Sequence, residues 1–374
     1  MPTQPLCITR VTLREIHLPL REPFRISSGV VHERRILLLE LEDADGVVTW
    51  AECVAGEEPN YSDETVETAW HALREWLVPR VLGRALAPGD VDALLARDIR
   101  GHRMAKAALE MGTWALAALR AGESLAHYIG GSVERVPIGI SLGIQQSPAA
   151  LAQRAAAAVA AGYRRIKLKI APGADIEYVA AVRAELGADV LLSVDANSAY
   201  EPADADHLAR LDDFGLLMIE QPLAHDDLVR HAALQRRLRT AICLDESITG
   251  VARAEDMITL GAGRMINIKP GRVGGFTQSR AIHDVCARHD VPVWCGGMLE
   301  SGIGRAYNVA LASLPNFTLP GDISPSARYW ERDVVKPPFT MAEGHMRVPA
   351  AAGLGVDVDG DFIDDLTVRR EALA

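Results

Sequence analysis

Five charged residues recur at a near-constant interval in this chain: Lys169, Asp195, Glu220, Asp245 and Lys269, spaced by 26, 25, 25 and 24 residues. Each closes a short apolar run: RRIKLKI, LLSVDAN, LLMIEQP, AICLDES and RMINIKP. Three carboxylates brought together without His or Cys suit a hard, oxygen-seeking ion such as Mg²⁺. Lysines on either side of such an ion can move protons. Side chains alternate faces along a strand, so Lys167 and Lys169 point one way and Leu168 the other. Two crowded, partly desolvated lysines are expected to depress each other's pKa and yield a base usable near neutrality. Taken singly, each charge is equally well explained as an exposed lysine, a helix N-cap or a strand-end ion pair. The shared register of all five argues for a site.

The elements that must position these charges alternate. Runs beginning with VPIGISLGI and ending with FTLPGD give eight strand-like segments. Helices are expected near 147–161, 174–186, 202–213, 226–239, 250–261, 275–289 and 302–313. Ser147 is a candidate N-cap, followed by Pro148 at the first helical position. Strand–helix alternation implies a parallel sheet with right-handed crossovers, and eight such strands imply a closed barrel with its active site at the C-terminal strand ends. Lys169 and Lys269 then fall on strands two and six, facing each other across the mouth. Residues 1–130 read as an α+β domain, with strand alternation over 7–20 and 35–54, a turn at Asp43–Gly46, and helices from about 63 to 129. Residues 131–345 read as the barrel, and 346–374 as a tail returning to cover the N-terminal domain.

The chain's 374 residues are too many for one ordinary core, which favours two domains. A formal net charge of −11 argues against nucleic acid as a partner. No apolar run approaches a membrane span, and the N-terminus lacks a signal-peptide layout. Cys7, Cys53, Cys243, Cys286 and Cys295 match no zinc spacing and read as reduced thiols of a cytoplasmic protein.

Other residues join the strand ends. Asn197 shares a face with Asp195. Gln221 follows Glu220 and serves either the site or a turn. Gly274-Gly275 after Lys269 reads as a tight turn or an anion cradle. CGGMLESG places Met298 and Glu300 at the mouth, or Glu300 at a helix start.

These segments together resemble the enolase superfamily, in its muconate-cycloisomerase-type subgroup with K-x-K on strand two and K on strand six. The pairing of a Lys base with Mg²⁺ is the general pattern for that superfamily. The resemblance is nearest to the o-succinylbenzoate synthase / N-acylamino acid (N-succinylamino acid) racemase family. It spans almost the whole chain through WAECVAGEEPNY, GYRRIKLKI, VDANSAY, IEQPLAHDDL, CLDES, NIKPGRVGG, VWCGGMLESGIGRA, LPGDISPSARYW and GLGVDVD.

The resemblance implies an α/β fold, an α+β capping domain plus a modified TIM barrel, (β/α)₇β. It implies Asp195, Glu220 and Asp245 as Mg²⁺ ligands, with Mn²⁺ or another divalent metal able to substitute. Lys169 and Lys269 become the acid/base pair, and Lys167 an electrostatic helper. Arg272 matches the arginine of the racemase-competent branch, Phe24 to Ser28 the mobile loop of the capping domain, and Ser141, Met298 and Glu300 positions near substrate. Small-molecule carboxylate substrates and a homo-oligomer, from dimer to octamer, are implied as well. The expected activity is racemisation of N-acylamino acids, with o-succinylbenzoate synthesis for menaquinone as companion or main role. Dipeptide epimerase fits less well, because Gly321-Asp322-Ile323-Ser324 lacks the second acid of that group's D-x-D. Muconate cycloisomerase fits VWCGGMLESGIGRA poorly, and a non-enzymatic metal-binding barrel leaves five buried charges without a purpose.

Overall fold

The structure is a computed structural model describing residues 5–26 and 29–374, with backbone alone for 24–26 and 29–31. Strands β1 (Leu6–Ile26) and β2 (Gly29–Asp43) form a long antiparallel pair, and β3 (Val48–Cys53) extends it. The expected turn is there. Asp43 accepts from the backbone N–H of Asp45 and Val47 at 2.9 and 3.0 Å, and Gly46 takes a φ of +77°. An aspartate closing a turn on its own neighbours' amides is favourable local chemistry. Helix α1 (Val66–Ala72) begins in a capping box built by Thr65 and Thr68. Helix α2 (Arg103–Ala121) lies on the sheet so closely that a Cβ on Gly112 would come within 2.9 Å of the Leu41 methyls.

A parallel sheet of seven strands follows in unbroken sequence order. Its members are β4 (Ile140–Leu142), β5 (Arg165–Lys169), β6 (Leu191–Asp195), β7 (Ile219–Glu220), β8 (Ile242–Leu244), β9 (Met265–Ile268) and β10 (Val293–Cys295). Between them run α3 (Pro148–Ala160), α4 (Ile176–Leu186), α5 (Ala205–Ala209), α6 (Leu228–Gln235), α7 (Val251–Leu260) and α8 (Phe276–Arg288), and α9 (Gly302–Ala312) follows β10. Ser147 caps α3 through the Ala150 amide, with Pro148 next.

Two expectations need correction. The stretch VPIGISLGI is not one strand. Arg135–Pro137 pairs antiparallel with His345–Arg347, and only Ile140–Leu142 joins the barrel, after Gly139. The eighth segment, FTLPGD, is not a strand either. It closes the ring through isolated bridges, Val293 to Phe317 and Ile138 to Gly321. Pro320 has no N–H to donate, so a continuous ladder cannot form there. At the chain's end β11 (Thr367–Leu373) pairs antiparallel with β1 and so becomes an edge strand of the capping sheet. All five cysteines are free thiols.

Two buried carboxylates lock the capping domain to the barrel. Glu110 of α2 accepts from the amides of Phe276 and Thr277 at 2.8 and 3.0 Å, from the Thr277 hydroxyl at 2.6 Å and from the Trp114 indole at 2.7 Å. It therefore caps α8, whose own N-cap is Gly275 at φ +114°, where a Cβ would strike the Glu110 carboxylate. Glu52 of β3 does the same for α9, accepting from the amides of Ser301 and Gly304 and from the Ser301 hydroxyl at 2.6 Å. Burial pushes both carboxyls up to about 7, against the pull of these donors. Between the ordinary value of 4.5 and about 7 the folded protein thus binds more protons than the unfolded chain, and stability falls as pH rises through that window. Glu110→Gln should flatten this slope, measured as Tm against pH from 5 to 8. An unaltered slope would show that the carboxyl does not titrate there.

Candidate active site

The strand register sets the predicted charges side by side. Across neighbouring strands Ser141 pairs with Lys167, Lys169 with Asp195, and Asp195 with Glu220. Asp245 lies just beyond β8 and Lys269 just beyond β9. All five charges, and Lys167, are buried.

Each carboxylate is closed on a cation. Lys169 Nζ donates to Asp195 at 2.7 Å and to the Asn197 carbonyl oxygen. Lys167 Nζ reaches Glu220 at 3.0 Å, Asp195 at 3.1 Å and Asp322 at 2.6 Å, and lies 5.0 Å from the Trp294 ring centre. Lys269 Nζ donates to Asp245 at 2.8 Å and to the Tyr61 hydroxyl at 3.1 Å, over the Tyr61 ring. Arg272 and the Tyr61 hydroxyl both donate to the other Asp245 oxygen.

The electrostatics reverse one expectation. Burial alone would lower the Lys167 pKa, but Asp322, Glu220 and Asp195 outweigh it and drive the pKa upward. Lys167 is held as an ammonium, and its crowding against Lys169 does not free its proton. The Lys269 pKa is raised too: burial opposes the charge, while Tyr61, Glu246 and Glu220 favour it. Asp195 is held well below the ordinary carboxylate range. Its burial is overcome by Lys169 and Lys167.

Among the described residues no group of three or more His, Cys, Asp or Glu side chains converges as an ion cage. The oxygens of Asp195, Glu220 and Asp245 are turned to the lysines instead. The donor chemistry still fits a hard divalent cation, being three buried carboxylates at successive strand ends. Beside them Glu246 accepts from Asn197 Nδ2 at 2.9 Å, while its buried Oε2 has no hydrogen-bond partner among the described residues. An unmet acceptor there calls for a donor or a cation.

The remaining predicted residues separate. Asn197 sits at φ +44°, its amide on Asp195, bridging Lys169 and Glu246. Gln221, at φ +39°, turns the chain and also braces the neighbouring strand end: it accepts from the amides of Asp245 and Ser247 and donates to the Ser247 hydroxyl. Such left-handed non-glycine residues at strand ends store strain that the surroundings must hold. Ser141 is buried with its hydroxyl unpartnered among the described residues. Arg272 is buried on Asp245, the Ile248 carbonyl and the Asn267 carbonyl. Glu300 folds its carboxylate back to the Met298 amide at 2.8 Å, and Ser301, not Glu300, caps α9. Met298 is half-buried. The Phe24 side chain lies outside the described residues, as do Ile26 side chain and the whole of residues 27 and 28, so that loop is not placed.

Sequence reasoning passed over four members. Asn267, which donates to Glu220 at 2.8 Å, was legible by the same alternation that pairs Lys167 with Lys169, since it stands two residues before Lys269. Glu246 adjoins Asp245 in CLDES. Asp322, weighed only as half of a substrate-gripping D-x-D, instead binds Lys167 and Arg165, the latter at 2.7 Å. Tyr61 arrives from the capping domain, and no local pattern announces it.

A capping domain over a β/α barrel, with acids and lysines at consecutive strand ends, defines a barrel enzyme. Residues 8–130 match the family described as Mandelate racemase / muconate lactonizing enzyme, N-terminal domain, and residues 150–362 match Enolase C-terminal domain-like. An o-succinylbenzoate synthase of Geobacillus kaustophilus is 50% identical over 361 residues, covering 96% of each chain. An N-succinylamino acid racemase of an Amycolatopsis species is 50% identical over 365 residues, covering 97% of this chain and 98% of its own. A solved enolase-superfamily structure from Listeria innocua superposes with a TM-score of 0.95 at 39% identity, over 98% of this chain and 99% of the other. The chain belongs to the enolase superfamily, in its o-succinylbenzoate synthase / N-succinylamino acid racemase family, and is an enzyme. No helix among the described residues is long and apolar enough to cross a membrane.

A ligand that binds only the folded state stabilises it, by about 2.7 kcal/mol at a hundredfold excess over its Kd. Mg²⁺ should therefore raise the Tm in a concentration-dependent way, and Asp245→Asn should abolish that rise. A Tm indifferent to Mg²⁺ and to EDTA would remove the carboxylates from any metal role.

Proposed function

We propose that this enzyme racemises N-acylamino acids, N-succinylamino acids among them, by proton transfer between two lysines on opposite faces of the α-carbon. The observation that carries this reading is the placement of Lys169 and Lys269 at the ends of β5 and β9, four strands apart in the ring, each tied to a different carboxylate. A substrate held between them presents one face of its α-carbon to each lysine. In one direction neutral Lys169 removes the α-proton, and the Lys269 ammonium returns a proton to the other face. The reverse direction exchanges the roles, and the lysine protonation states after each turnover are those that begin the reverse one.

Asp195, Glu220 and Asp245 are the residues that would hold the Mg²⁺ on which the superfamily depends. Such an ion would supply positive charge that stabilises the enolate formed when a carboxylate substrate loses its α-proton. Asp195 and Asp245 would hold the ion with the same carboxylates that now pair with Lys169 and Lys269. Arg272 shares Asp245 with Lys269. Lys167 keeps its charge as an electrostatic helper that tunes Lys169. Asn197 and Tyr61 hold Lys169 and Lys269 in line.

The same first step serves o-succinylbenzoate synthesis, the activity named for relatives 46–50% identical to this chain. There Lys169 would take the proton and then assist departure of the hydroxyl in a syn elimination, with Lys269 left as a stabilising cation.

N-Succinylphenylalanine incubated with enzyme and Mg²⁺ in D₂O should acquire α-deuterium and lose optical activity. Lys269→Ala should cut racemisation roughly 10²-fold or more, the usual worth of a positioned acid/base group. Full racemisation by that variant would exclude the two-lysine mechanism.

A further inference from the structure

A cavity of about 540 Å³ opens on the Lys169 side of the barrel mouth, at the end of the neighbouring strand. Its floor is the end of β4 and the residues after it, Leu142 to Gln146. Leu142 pairs with Leu168 in the ladder, so Gly143 stands level with Lys169 on the adjoining strand. Neighbouring strands are about 4.8 Å apart. The cavity therefore starts one strand away from the base, within reach of a short arm on a substrate held there. Its volume suits a small-molecule site.

The walls carry charge in an unequal balance. Arg154 of α3 and Arg328, in the turn after the ring-closing segment, face one carboxylate, Glu22. Glu22 pairs with Arg154 at 2.6 Å, and Arg154 also reaches the Gln145 amide oxygen. Arg328 lies over the Tyr329 ring at 5.6 Å, and its buried Nε has no hydrogen-bond partner among the described residues. A guanidinium that lies over an aromatic ring and lines the cavity can offer its terminal N–H groups to a planar oxyanion. The pairing of Glu22 with Arg154 shows that this wall already accepts a carboxylate. Both partners of that pair are substantially exposed, which makes it weak and easily exchanged.

We propose that this cavity binds a second carboxylate of the substrate, remote from the reacting carbon, on Arg328 and Arg154, with Glu22 occupying part of the site until substrate arrives. The proposal rests on the racemase reading for the position of the reacting carbon. The carboxylate can come from a dicarboxylic acyl group or from an acidic amino-acid side chain. The walls recognise the same chemistry in either case, and Arg328 and Arg154 become specificity-determining residues.

The test compares kcat/KM for α-proton exchange on N-succinylphenylalanine, N-acetylphenylalanine and N-acetylglutamate. Arg328→Gln should lower the succinyl-to-acetyl preference about tenfold, chiefly through KM, in line with loss of one charge-assisted hydrogen bond. Arg328→Lys should restore part of it, and Glu22→Gln, which removes the internal competitor, should raise it. A drop confined to N-acetylglutamate relative to N-acetylphenylalanine would support the site and assign it to the amino-acid side chain. Equal losses on all three substrates, or no change in any ratio, would overturn the proposal. Should the wild type exchange none of them, the racemase reading falls. The cavity is then judged by calorimetric binding of N-succinylphenylalanine with Mg²⁺ present, where equal affinity in wild type and Arg328→Gln overturns it.

Discussion

Everything at the barrel mouth follows from the cost of burying charge. Asp195, Glu220 and Asp245 are almost fully excluded from solvent, and so are Lys167, Lys169 and Lys269. Isolated in such surroundings, none of them could stay ionised. They are compensated by pairing, Lys169 with Asp195, Lys269 with Asp245 and Lys167 with three acids at once. This mutual neutralisation is a balance that chemistry can tip. Whatever takes the carboxylate oxygens weakens the hold on the lysine protons, and whatever takes a proton from a lysine leaves its carboxylate seeking a cation. On the proposed reading, metal affinity and base strength are thereby linked through the same oxygens.

The three lysines are not equal members of that balance. Lys167 is enclosed by Asp195, Glu220 and Asp322, with the Trp294 face beside it, so its charge is fixed. Lys169 and Lys269 each depend on one carboxylate and one neutral partner, Asn197 and Tyr61 respectively. Two groups with few partners and one with many suits the two-base site proposed here: a constant field, and a pair that can exchange protons. Asp322 is what makes Lys167 the constant. That role explains why its carboxylate, weighed from sequence as a substrate grip, is spent inside the barrel on Lys167 and Arg165.

How much of this was legible in the sequence depended on whether the signal was periodic. The strand ends announced themselves because each closes an apolar run at the same interval, and K-L-K alternation placed Lys167 and Lys169 on one face. Asn267 obeys that rule too. The eighth strand was over-read from the apolar character of FTLPGD, although Pro320 forbids the ladder that a strand needs. Tyr61 and Asp322 were not legible as partners of the lysines, since the contacts that define them join residues 208 and 155 positions apart in the chain, Tyr61 to Lys269 and Lys167 to Asp322. The direction of the Lys167 pKa was misjudged for a related reason. Like charges adjacent in sequence were visible, and the acids arriving from other strands were not.

The seam between the two domains applies the same physics to a structural end. Helices α8 and α9 follow the strands that carry Lys269 and Cys295, and each begins without a capping carboxylate from its own segment. Glu110 and Glu52 supply it from the capping domain, so unmet amides at two barrel helices are satisfied only when the domains are docked. The turn Lys269–Gly275, which carries both Lys269 and Arg272, lies between β9 and the α8 terminus held by Glu110. Tyr61, from the same capping domain, bonds Lys269 and Asp245 directly. Docking thus completes the surroundings of Lys269, while the partners of Lys169 among the described residues, Asp195 and Asn197, belong to the barrel. The two lysines proposed to transfer protons are held by different parts of the molecule, and the site is complete only as an assembly of both.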